Sequence, residues 1–435
     1  MRHPIDSAEW RSVKSQWPEF FIEGRNVWLG IATYGFNPNG VLSNSYSCWP
    51  IYMIPYNLPP SLCMKSQFPM LSLFIPGPRA PSQDIDVYLE PLVDELKYLW
   101  DEGASVFDTD KQEFFNMKAI LLWGIHDLPA FGNLSGCVTH GYKACPVCAT
   151  ETESEYIGNK IIYSKYRRFL KDDYPYRALK HGWYKDVEYK EPPTRLRGSS
   201  LLEKLERIKY VRGKIPPSKK RLIYEAYDNV DCLVDEEGRP AWYKKSILFD
   251  LDYWSNHKVR HTIDVMHTEK NVVEHLINFM FNKVKQSSKL AFDKDHKLQC
   301  CQVLKDAKLP SCLATKLNGL ICLQPPGLQI KKTYDYHILI QYLLPIMVQH
   351  AYPKCRELRR ALLQVSLYFN IICSKVLVRE HVQVAKDMIA EALCVLAHYV
   401  STDFFDISIH LMVHLADQAL LCGPSNYIWM YPFER

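Results

Sequence analysis

The sequence predicts an α/β protein: a mixed sheet flanked by helices, interrupted by a polar, basic insertion and followed by a separate helical region. Three observations carry that expectation. Apolar, aromatic-rich runs cluster between Arg25 and Pro78; a helical run and a buried strand follow them; and from Tyr336 onward helix-like stretches alternate with short breaks.

The runs NVWLGIATYGF, CWPIYMIPYNL and MLSLFIPGP are expected to be successive strands of one sheet. Asn37-Pro38-Asn39-Gly40 and Asn57-Leu58-Pro59-Pro60 supply the turns between them. In DIDVYLEPLVDELKYLWDEG, Val87, Leu89, Leu92, Val93, Leu96 and Leu99 fall near helical spacing; acidic residues open the run and Gly103 closes it. Pro91 is expected in or near the first turns. MKAILLWGIHDLPAFG then reads as a buried strand ending at Asp127. Three strands, a helix and a fourth strand form the order in which a ribonuclease H-like core begins.

The chain divides accordingly: a lead-in over 1–24, the first part of the core over 25–149, an insertion over 150–245, a return to the core with an acidic helix over 246–330, and a helical domain over 331–435. The insertion is polar, basic and tyrosine-rich, with PPT, GSS and IPPSKKR as breakers. Apolar order returns at KSILFDLDYW, and Val272, Val273, Leu276 and Ile277 keep a helical period. No internal repeat or long low-complexity segment is visible.

With 435 residues, 47% of them hydrophobic, the chain has material for two or three cores. A formal net charge of +5 makes the average field weakly basic, so strong attraction to phosphate has to come from local clusters. The 14 cysteines lack the dense, regular spacing of a secreted disulfide scaffold, which predicts an intracellular, reduced protein. No apolar run reaches the length of a membrane span, and MRHPIDSAEW is no signal sequence, so no membrane partner is expected.

RNVWLGIATYGFNPNG, YNLPPSLCMK, MLSLFIPGPRAPSQDIDVYLEPLVDEL, LPAFGNLSG, ACPVC, YRRFL and DVMHTEKNV occur in the order found in the transposase domain of plant CACTA-type (En/Spm-like) elements, which this chain resembles. The tail from LLPIMV through DFFDISIHLMVHL to LCGPSNYIWMYPFER is similar to the domain of unknown function that usually follows. The start at MRHP and the end at YPFER read as a truncated copy.

The resemblance implies a ribonuclease H-like fold in which three carboxylates hold two Mg²⁺ or Mn²⁺ ions for strand cleavage and transfer; such hard ions take oxygen ligands. Tyr34 occupies the family's first aspartate position, Asp127 the second and Glu269 the acidic position of the late helix. A phenol is neutral at pH 7 and gives no bridging carboxylate, so the chain is expected to be catalytically impaired. The alternative is a DNA- or protein-binding module without catalysis, interfering with intact transposase.

Other readings stand beside these. An aspartate before Leu-Pro is also a turn former, and Asp84 and Asp86, the rivals for the second carboxylate, suit N-capping. Were His261, Asp264, His267 and Glu269 on one regular helix, they could not all converge on one ion; Asp264 is expected to be a cap or an outer partner. Cys145 and Cys148 form half of a zinc site, with Cys137, His140 or His181 as further ligands, or else two reduced cysteines in a turn. Arg167, Arg168, Lys171, Arg177, Lys219, Lys220 and Arg221, interleaved with tyrosines, would grip DNA phosphates or form a solvated surface. Trp28, Trp49 and Tyr52 are expected in the core. By resemblance the partners are DNA at transposon ends and a homo-oligomer or a mixed oligomer with intact transposase, in the nucleus.

Overall fold

A computed structural model describes the chain apart from residues 41–45, 181–185, 209–211, 214–232, 282–291, 309–318, 331, 350, 351, 353 and 435. It has a central mixed sheet flanked by helices and a C-terminal helical region. Two compact units are present, neither continuous in sequence: Met1–Thr152 with Pro193–Asp264 and Gln418–Arg435, and Glu153–Pro192 with Val265–Asp417.

The first unit is built on strands β1 (Val27–Thr33), β2 (Trp49–Pro55) and β3 (Met70–Ile75), the hairpin β4 (Ala104–Asp108) and β5 (Glu113–Met117), and strands β6 (Ala119–His126) and β7 (His261–Ile263). The main sheet has the order β3-β2-β1-β6-β7. β1 pairs antiparallel with β2, β2 antiparallel with β3, and β6 parallel with both β1 and β7. Parallel neighbours on both sides explain why β6 is one apolar run buried along its whole length. The expected meander is present; Trp28 and Trp49 are core residues, whereas Tyr52, also expected in the core, is only half-buried. Gly30 allows a close approach: a Cβ there would lie 2.8 Å from the Tyr56 ring. Tyr56 accepts from Trp123 Nε1 at 2.9 Å and donates to Tyr427 O at 2.7 Å.

Helices α1 (Ala8–Gln16), α2 (Pro18–Ile22), α3 (Ile85–Asp101), α4 (Leu128–Ser135) and α5 (Gly198–Leu205) complete this unit. α3 buries Ile85, Leu89, Leu92, Val93 and Leu96, and stops at Gly103, which takes φ +81°. Pro91 lies in its second turn. Asp86 is not a cap. It is buried inside α3 with its Oδ1 2.9 Å from Lys244 Nζ, whose side chain is also fully buried, and Asp84 makes no side-chain cap. Burial raises the Asp86 carboxyl against the pull of Lys244, and lowers the Lys244 amine against that of Asp86.

In the second unit, helices α6 (Val265–Phe281), α7 (Lys294–Asp306) and α8 (Thr333–Ile338) are followed by a π turn at Leu339–Leu343 and by α9 (Leu344–Val348), α10 (Arg356–Ile372), α11 (Arg379–Tyr399) and α12 (Ile407–Cys422). α10 and α11 match the predicted helical stretches and pack against each other. From Gln418 onward the chain belongs to the first unit, where Gln418 caps the edge of β7: it accepts from Ile263 N at 2.6 Å and donates to Ile263 O at 2.8 Å.

Candidate functional site

The sheet register brings three residues to one end of the first unit. Thr33 pairs with His126 and His126 with Ile263. The next residues, Tyr34, Asp127 and Asp264, follow the C-terminal ends of three parallel strands. Tyr34 Oη donates to Phe433 O at 2.5 Å. Burial, with help from Tyr52 and Glu434, pushes its phenol up to about 12, so it stays neutral. Asp127 is the N-cap of α4, its Oδ1 accepting from Ala130 N at 2.8 Å, and Gly136 closes that helix with φ +76°. Asp264 is buried and its Oδ1 accepts from Met430 N at 3.1 Å. The segment around Met430 to Phe433 therefore touches two of the three residues, and the Phe433 ring also lies 5.5 Å from that of Tyr52.

Asp264 and His261 belong to the strand and its end, because α6 starts only at Val265. The single helix assumed for His261, Asp264 and Glu269 does not exist. Behind the strand ends sit two imidazoles, the buried His126 and the half-buried His261, with ring centroids 5.5 Å apart. Burial lowers His126 to about 3 and His261 well below its ordinary value, so both are neutral. Gly124 makes room for them: a Cβ there would fall 2.2 Å from His126 Nε2 and 2.9 Å from His261 Nδ1.

Glu269 lies near the start of α6, in the second unit, with partners of its own. It is buried, His337 Nδ1 stands 2.8 and 3.0 Å from its two oxygens, and Gln341 Nε2 donates to Oε1 at 3.3 Å. Gln341 sits in the π turn, a departure from α-geometry that often marks a functional position. Ser366 Oγ and Asn370 Nδ2 donate to Ile340 O and Gln341 O within that turn. Cys373 Sγ is within 4.8 Å of the Glu269 and His337 ligand atoms, so Glu269, His337 and Cys373 form a mixed oxygen, nitrogen and sulfur set.

Cys145 and Cys148 are both buried in the first unit. Cys148 N donates to Cys145 Sγ at 3.3 Å, Ala149 N to Cys145 O at 2.9 Å, and Ala149 turns with φ +55°. The two sulfurs lie within 4.8 Å of each other, a spacing compatible with one tetrahedral ion. Of the further ligands considered, Cys137 Sγ donates to Val138 O, His140 is exposed and His181 falls outside the described residues.

The arginines expected to grip phosphate are instead interior clamps on the polar segment of the second unit. Arg167 donates to Leu179 O and Asp186 O at 2.9 and 2.7 Å, Arg168 to Glu191 O at 2.7 Å, and Arg177 to Leu170 O and Lys190 O at 2.9 and 3.0 Å. All three are buried. Charged donors here satisfy backbone carbonyls that no helix or strand pairs. Lys171 is exposed, 2.8 Å from Asp387 Oδ2. Lys219, Lys220 and Arg221 lie outside the described residues.

A cationic feature unnoticed in the sequence occurs in the first unit. A pocket is lined by Arg195, Lys258 and Arg260 with Phe131, Trp242 and Phe249, and among the described residues none that lines it is acidic. Burial first, and then Arg195, lower the Arg260 guanidinium to about 10. The start of α5 adds to the positive field, since its N-cap, Arg197, makes no side-chain cap.

Residues 1–208 match the family described as Transposase family tnp2, and residues 372–435 match a domain of unknown function, DUF4218. No curated protein matches the chain. The two matches support a transposase-like family and a transposon-derived origin.

Proposed function

We propose that this chain is a transposon-derived protein of the CACTA type that binds DNA on a ribonuclease H-like core and has lost strand cleavage. The observation that carries the reading is the sheet: three antiparallel-connected strands, then two parallel ones, with Tyr34, Asp127 and Asp264 side by side at the ends of β1, β6 and β7. Catalytic carboxylates of a metal-dependent nuclease belong at such ends.

Two Mg²⁺ or Mn²⁺ ions need several carboxylate oxygens directed at one place. The donors present do not fit that demand, because Tyr34 is a neutral phenol donating to Phe433 O and Asp127 spends an oxygen on its helix. Productive binding of Mg²⁺ is therefore not part of the function. Glu269, by resemblance the third acid, is held by His337 and Gln341.

DNA is the partner that the cation-lined pocket favours, since three convergent cations, with Glu9 engaged behind them on Lys258 N and Val259 N, suit a phosphodiester and the aromatic walls suit a base. Lys171 and the basic run Lys219, Lys220 and Arg221 would add phosphate contacts of their own. Cys145 and Cys148 would hold Zn²⁺ as a structural ion. The site of action would be the nucleus, alone or in a mixed oligomer that blocks intact transposase. Among the described residues no helix is long and apolar enough to cross a membrane.

The test is a nicking assay on terminal-repeat DNA with Mg²⁺ or Mn²⁺, run beside a gel-shift measurement. Binding without cleavage is the expected outcome. Metal-dependent nicking by the unaltered chain overturns the loss of catalysis, and failure to bind any DNA overturns the binding role.

A further inference from the structure

We propose that His410 and His414, on α12, are ligands of a zinc ion. Residues at i and i+4 of a helix stand one above the other on the same face. Both side chains are buried, and their Nε2 atoms are 3.3 Å apart. Two nitrogens bound to one zinc ion at about 2.0–2.1 Å, across a tetrahedral angle, stand about 3.3–3.4 Å apart. The two imidazoles thus already span one edge of a coordination tetrahedron.

Their surroundings suit that role. The Phe169 ring packs edge-on against both imidazoles, with centroids 5.6 Å from His414 and 6.0 Å from His410, and Tyr163 lies 5.7 Å from His410. An aromatic wall of this kind fixes ring orientation and keeps bulk water from the nitrogens. Imidazole nitrogen selects zinc and its late transition-metal neighbours over Mg²⁺, so this ion is distinct from any that the strand-end carboxylates of a nuclease would hold. The ion binds imidazole through a ring nitrogen that carries no proton.

The competing explanation is a plain hydrogen bond between the rings, in which one Nε2 carries a proton and the other accepts it. The experiment separates the two on the full chain. The purified protein is stripped with a chelator and titrated with Zn²⁺ and, separately, with Co²⁺ as a visible probe. Expected are a zinc ion retained through dialysis, the intense visible absorption of tetrahedral cobalt, and loss of that ion in His410→Gln and in His414→Gln while far-UV circular dichroism stays unchanged. Nitrogen-15 spectra of the unaltered chain decide the matter even if a variant fails to fold: zinc must shift the Nε2 signals of both residues and leave both rings protonated at Nδ1. Folded variants that retain the full zinc content, or Nε2 signals indifferent to zinc with one of them protonated, overturn the proposal.

Discussion

The Tyr34 hydroxyl donates a hydrogen bond to the carbonyl oxygen of Phe433, 2.5 Å away and 399 residues later in the chain. This gives the phenol a structural role that the aspartate of the resembled family could not fill. A carboxylate has no proton to donate and would set negative charge against a carbonyl dipole. Tyr34→Phe should therefore cost about 0.5–1.5 kcal/mol, and Tyr34→Asp should cost more at pH 8. At pH 5 part of that excess should return, because a carboxyl with a raised folded pKa contributes stability below its unfolded value and loses it as pH rises. Urea unfolding of the three proteins at both pH values tests this, and a Tyr34→Asp protein whose stability relative to the unaltered chain is the same at pH 5 and pH 8 would refute it.

His126 and His261 predict an acid weakness. Their folded pKa values lie below the unfolded value, with His126 at about 3. Their contribution is complete above the unfolded value of about 6.5 and is lost as pH falls below it, each proton adding a slope of about 1.4 kcal/mol per pH unit. Denaturant unfolding between pH 7.5 and 5 should show this loss, and His126→Gln should flatten the curve. An unchanged slope in the variant would place the acid sensitivity elsewhere.

How far the sequence could announce these features depended on whether their cause was local. β6 was legible because parallel neighbours on both sides demand an apolar run. Asp127 was legible as a strand end, but Leu-Pro after it suggested a turn, and its place as N-cap of α4 went unread. β7 was not, because three residues beginning with a histidine carry no period, and its place depends on pairing with β6 and on Gln418. The hairpin of β4 and β5 also went unread: none of its strand residues is buried, so it lacks the apolar contrast that marked the other strands. The arginines of YRRFL looked like a phosphate grip because their partners are carbonyl oxygens, which every residue has and no sequence displays.

The Asp86 and Lys244 pair predicts a strong asymmetry between single and double substitution. Either partner alone, once orphaned, is a buried charge without compensation, and Lys244→Met or Asp86→Ala should each cost about 3–5 kcal/mol. Replacing both, as Asp86→Leu with Lys244→Met, should recover most of that loss, since an apolar pair avoids the desolvation penalty. A double-mutant cycle by chemical denaturation measures the coupling. Additive losses would mean that the two groups do not sense each other, despite lying 2.9 Å apart.

The contrast between clamping arginines and pocket cations predicts which substitutions reach DNA. Arg177 is buried on four backbone carbonyls, so Arg177→Gln should lower the unfolding midpoint and leave DNA affinity of the folded fraction unchanged. Lys258 is exposed at the pocket mouth, and Lys258→Gln should leave the midpoint nearly unchanged. If its ammonium neutralises a phosphate, removing it weakens binding to every sequence alike. It also reduces the slope of log affinity against log salt by about 0.7–0.9, the loss of one counterion released. Fluorescence anisotropy of labelled single- and double-stranded oligonucleotides across a salt series supplies both quantities. The single strand should show the larger effect if a base enters between the aromatic walls. A Lys258→Gln protein with the original salt slope would remove the pocket from the DNA interface, and loss of affinity in folded Arg177→Gln would return the buried arginines to it.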